Sequence, residues 1–152
     1  MIKNVFNQND VAEIIERINQ LTPESQPQWG KMSVAQMLAH CNISYEYVFQ
    51  PEKYKQTGAF VKFMLKLFVK KKVVNEEIYK QNSPTSPDFI IKDEKNFEDE
   101  KMRLIAFVTR ILEAGSDYFD NYESHSFGKL NKNEWNNMFY KHIDHHLRQF
   151  GA

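Results

Sequence analysis

Residues 131–150 read NKNEWNNMFYKHIDHHLRQF, and this stretch decides the fold. Asn131 followed by Glu134 makes a capping box, in which two polar side chains satisfy free backbone N–H groups at a helix start. Behind it, Trp135, Met138, Phe139, His142, His146 and Gln149 fall within one broad face at about 100° per residue. The stretch predicts a helix from about Lys132 to Phe150, with an inward face that begins aromatic and ends in imidazole.

Three more segments carry the helical period. Ser33 and Gln36 form a second capping box ahead of Val34 to Phe49, where Val34, Met37, Leu38, Cys41, Tyr45 and Val48 supply the apolar stripe. A third helix is expected from about Phe97 to Phe119. Acidic Glu98, Asp99 and Glu100 favour its positive end, and Gly115 loosens it near the finish. The first helix is expected from about Val11 to Leu21, with Asp10 as its cap and Glu13 completing the box.

More than forty residues separate the second and third helices, too many for a structureless loop. Phe60 to Val74 reads as one short helix or two, Ser83 to Pro87 as a turn region, and Phe89 to Ile91 as a short extended piece. The expected class is all-α: a four-helix bundle with a long, partly helical crossover between helices two and three.

Composition narrows the function. The 152 residues have the length of one domain, long enough to bury a core without staples. Twenty basic residues balance twenty acidic ones, which argues against a general nucleic-acid binder. The single cysteine, Cys41, excludes a disulfide framework and a multi-cysteine zinc site. Met1 to Asp10 has no apolar stretch of signal-peptide length. The most apolar run, Phe60 to Val69, is too short and too charged to span a bilayer. The expected location is the cytoplasm, without stable membrane insertion.

The residues best suited to chemistry are the histidines. His142 and His146 are one turn apart on the inward face, where an unpaired imidazole is costly and a shared metal ion would satisfy both. His40, on the second helix, is the best third ligand. Three neutral imidazoles with open positions suit a divalent metal, zinc or nickel before iron or manganese. That is the pattern of a catalytic rather than a structural ion. The alternative is a set of core-edge histidines bonded to tyrosine, aspartate or backbone groups.

His145 points away from the pair and is a poorer co-ligand; with Tyr45, Asp144 and Gln149 it makes up a set of supporting candidates around the ion. Cys41 reads as small core filler, and Glu46 as a solvated carboxylate or a general base. The Phe60 to Val74 segment mixes Lys62, Lys66, Lys70, Lys71 and Lys72 with Phe60, Phe63, Met64, Leu67 and Phe68. Such a segment can lie on an anionic membrane or form a dimer surface. The expected arrangement is a crossover helix with its apolar side on the bundle and its lysines in water.

At this point the residues resemble a family. Trp29 to His40, reading WGKMSVAQMLAH, resembles the start of helix two in the DinB-like superfamily of bundle metalloproteins. Phe127-Gly128-Lys129-Leu130, then Glu134-Trp135 and the run from His142 to Gly151, is similar to a small uncharacterised branch of it. The resemblance runs from about Trp29 to Gly151 and is most specific at the end.

It implies one DinB-like four-helix-bundle domain over 1–152, with a metal held by His40, His142 and His146. Relatives include thiol-dependent transferases and isomerases and metal-dependent hydrolases. The implied activity is therefore hydrolysis, or transfer to a low-molecular-weight thiol, of a small-molecule substrate; a homodimer is an expectation of the crossover surface and not of the resemblance. Relatives carry His-Pro ahead of the Phe-Gly step. Here the order is His125-Ser126-Phe127-Gly128, so no role passes to His125. The competing class is a non-catalytic binding or scaffold protein with structural histidines.

Overall fold

A computed structural model describes residues 1–152. The chain is mostly helical. Its elements are α1 (Gln8–Gln20), α2 (Val34–Phe49), α3 (Ala59–Phe68), α4 (Lys70–Val74), α5 (Phe97–Phe119), β1 (Tyr122–Ser124), β2 (Gly128–Leu130) and α6 (Lys132–Gln149). Short 3-10 turns stand at Pro51–Lys53 and Pro87–Phe89.

Both long capping boxes form. Ser33 accepts from the Gln36 backbone N–H while the Gln36 side chain accepts from Ser33, and Asn131 and Glu134 do the same ahead of α6. The cap of α1 differs from expectation. Asn7, not Asp10, accepts from the N–H groups of Asn9 and Asp10, so the helix starts three residues sooner than Val11. Asp10 instead accepts from the Asn4 N–H. The break in α5 falls at Gly115, whose φ of 75° and ψ of 165° lie outside any helix and in a region that only glycine visits readily.

Helices α1, α2, α5 and α6 pack around one core, α2 against α5 most extensively. Its centre is aromatic. Tyr45 stacks against Phe107 and Phe139 with ring centroids 5.8 and 5.2 Å apart, and Phe139 continues to Trp135 and Phe119. Burial of rings of this size supplies much of the driving force for folding.

Two features depart from the expected architecture. Between α5 and α6 the chain makes an antiparallel hairpin, pairing Tyr122 with Leu130 and Ser124 with Gly128. Each strand has three residues, too few for a period-two pattern to register. The segment expected to be extended at Phe89 is instead the end of a 3-10 turn, with Ile90 following in an extended conformation.

The crossover is tied down by Lys141. This lysine is buried on α6, and its ammonium donates to the carbonyls of Lys72, Val73 and Asn75 and to Asn75 Oδ1, at 2.6 to 3.2 Å. A cation at the carbonyl end of a helix is favourable, and these bonds dock α4 on α6. α3 is placed otherwise: none of its residues is buried, and its apolar face points outward. The expectation that this face packs on the bundle is therefore corrected.

Candidate metal centre

Two helices place three imidazoles in one spot. α2 carries His40, and α6 carries His142 and His146 one turn apart, so that the pair shares a face. One ring nitrogen from each lies within 4.8 Å of the other two, and the three histidines could hold a metal ion. The ring centroids are 4.5 to 5.0 Å apart. His40 and His146 are buried and His142 is half-buried.

Each ring is oriented from behind. His40 Nδ1–H donates to the Phe89 carbonyl at 2.8 Å. His146 Nδ1–H donates to Gln149 Oε1 at 2.8 Å, and Gln149 is fixed in turn because its Nε2 donates to the Trp29 carbonyl at 2.7 Å. His142 Nδ1 is 2.7 Å from Ser44 Oγ. Both carbonyl acceptors set the tautomer: His40 and His146 carry their proton on Nδ1 and turn the Nε2 lone pair toward the cluster.

His142 has a choice, because the Ser44 hydroxyl can donate or accept. In one tautomer Ser44 donates to Nδ1, and His142 Nε2–H donates to His40 Nε2 across 3.0 Å. In the other, Nδ1–H donates to Ser44 and all three Nε2 lone pairs converge. Lone pairs 3.0 Å apart repel one another unless a cation stands between them. Nitrogens bound to one tetrahedral zinc are about 3.3 Å apart, so this pair needs little adjustment to share an ion. With His146 within 4.8 Å of both, the three histidines make a set that could hold a metal ion.

The electrostatics keep the rings neutral. Burial lowers the His40 pKa and pulls His146 down to about 3, and His142 is held well below the usual imidazole value by burial and by the neighbouring rings of His146, His40 and His145. A neutral imidazole is the form that ligates. Phe89, from the crossover, packs its ring edge-on to both His40 and His142, shielding that side.

The supporting candidates divide. Gln149 touches the site through His146. His145 sits beside it, edge-on to His146 at 5.0 Å, with its ring against Trp29 and Tyr79. Asp144 is engaged elsewhere, accepting from Arg17 and paired with Arg148. Tyr45 is placed in the aromatic stack of the core rather than against His40, because its ring fits between Phe107 and Phe139.

Glu46, expected in solvent, is buried and bonded to Tyr54, Lys53 and Arg103. Cys41 is buried in the core as expected, and its thiol pKa is pushed far up by burial. Ser44 and Phe89 were not visible as site residues in the sequence. Ser44, at i+4 from His40, carried the one usable signal.

A family model, described as a protein of unknown function (DUF1569), matches residues 3–152, and the chain belongs to that family. No curated protein and no solved structure matches it.

Proposed function

For a member of this family, we propose a metal-dependent enzyme with the fold of a DinB-like four-helix bundle, formed by α1, α2, α5 and α6 as one domain over 1–152. His40, His142 and His146 would hold a divalent ion, zinc or nickel. The observation that carries this reading is the convergence of one ring nitrogen from each of His40, His142 and His146 within 4.8 Å of the other two, with His40 Nδ1 and His146 Nδ1 hydrogen-bonded from behind. With His142 in the tautomer that donates to Ser44, three lone pairs point at one place and the remaining coordination positions are left to solvent or substrate.

An ion there supplies Lewis acidity, toward water for hydrolysis or toward a low-molecular-weight thiol for group transfer to a small molecule. The chain's own residues prepare the place. Phe89 O and Gln149 Oε1 hold two rings in the ligating tautomer, and Ser44 accommodates the third ring in either. Phe89 excludes water from one side.

The experiment loads metal-free protein with zinc or nickel. It then follows chromogenic ester cleavage in one series and loss of free thiol in the presence of a small electrophile in the other. Turnover in either series that disappears in His142→Ala supports the enzyme. Retention of metal without turnover of either kind favours a non-catalytic binding protein.

A further inference from the structure

α3 is amphipathic, yet it faces the wrong way for a helix packed on its own protein. Phe60, Phe63, Leu67 and Phe68 are 75%, 61%, 59% and 64% exposed, and Val61 and Met64 are exposed beside them. The polar side turns inward: Lys62 is half-buried, with Nζ 3.9 Å from Glu123 Oε1. At the start of α4, Lys70 pairs with Glu134 of α6 at 2.8 Å. The helix is thus held to the body by its lysine side and offers its aromatic side to the surroundings. Water is a poor neighbour for four large apolar side chains presented together.

Along this segment, between Glu52 and Glu76, the charge is one-sided. Residues 53–75 contain seven lysines and no aspartate or glutamate, although the whole chain is neutral. Lys66, Lys71 and Lys72 are exposed and unpaired with any carboxylate. A second copy docking the same face on itself would bring these lysines against their own counterparts, which costs free energy. An anionic surface gains from them.

We propose that α3 and the start of α4 form a docking surface for a bilayer containing anionic phospholipid. The aromatic side of α3 enters the headgroup–acyl boundary while Lys66, Lys71 and Lys72 meet lipid phosphates. The helix lies on the bilayer and does not cross it; no helix of the chain is long and apolar enough to do so.

The test is co-sedimentation of the full chain with vesicles of phosphatidylcholine alone and of phosphatidylcholine mixed with phosphatidylglycerol. Binding is expected only to the mixed vesicles and is expected to vanish at high salt. The triple variant Lys66→Gln, Lys71→Gln, Lys72→Gln lowers the partition coefficient about 100-fold, at about fivefold per lysine. The pair Phe63→Ser and Leu67→Ser abolishes binding. All five side chains are exposed, so both variants keep the helical circular dichroism of the parent. No binding to either vesicle, or equal binding to both, overturns the proposal. So does a dimer in sedimentation velocity that the serine pair dissociates, because it would assign the face to a second copy.

Discussion

Gly30 and Gln149 are packed so closely that a Cβ on the glycine would lie 2.7 Å from the glutamine Nε2. That nitrogen donates to the Trp29 carbonyl, and the other end of the same amide orients His146. Gly30 also has a φ of +82°, which disfavours any L side chain. Gly30→Ala therefore displaces the amide and releases the His146 ring. Zinc affinity, measured by competition with a chromophoric chelator, is expected to fall about 10- to 100-fold while the helical content is retained.

Gln149→Leu and Ser44→Ala test the same support more directly. The first removes the acceptor behind His146, the second the partner of His142 Nδ1. Each is expected to weaken zinc binding about 10- to 100-fold. Ser44→Thr keeps the hydroxyl and is expected to retain near-parent affinity. A threonine variant as weak as the alanine one would mean that packing, not the hydrogen bond, sets the ring.

Gly115→Ala should separate stability from the site. The residue adopts a φ of 75° and ψ of 165°, and a Cβ there would meet no atom within 4 Å. Strain in the backbone is then the sole penalty, about 1–3 kcal/mol by urea denaturation. Metal affinity of the folded variant is expected to match the parent.

Acid should weaken the fold through Glu46. Burial works to raise its pKa, but hydrogen bonds from Tyr54 and Lys53 and the charge of Arg103 outweigh it and hold the carboxyl below its usual value. A carboxyl with a lowered folded-state pKa stabilises the protein above the unfolded value, about 4.3, and loses that contribution as pH falls through the folded value. Glu46→Gln is expected to lower Tm at pH 7. The gap from the parent should narrow as the pH falls below the unfolded value and through the lowered folded one.

Much of this was legible in the sequence because local signals and burial agree. The capping boxes at Ser33 and Asn131 mark where α2 and α6 begin, and the interruption at Gly115 follows from the residue type. The i,i+4 spacing of His142 and His146 is a property of any helix, so the face they share could be read without coordinates. What supports the rings could not. The Phe89 carbonyl and the Trp29 carbonyl are backbone groups, identical in every residue, and only tertiary packing brings them to His40 and Gln149.

The orientation of α3 was hidden for a related reason. Its period reveals that one face is apolar but not whether that face turns toward the protein or away from it. The partners that settle this are Glu123 in a hairpin of three-residue strands and Glu134 at the start of α6, both more than sixty residues along the chain from their lysines. Lys141 is comparable: a lysine within a helix reads as solvated until Lys72, Val73 and Asn75 are seen to surround it.

The proposed function requires that His40, His142 and His146 hold a divalent ion. It is tested most directly by elemental analysis of the protein purified without added metal, beside His142→Ala prepared in the same way. Close to one zinc or nickel per chain is expected in the parent, with most of it lost in the variant. Equal metal content in the two proteins, or a metal-free parent that takes up neither zinc nor nickel, would contradict it.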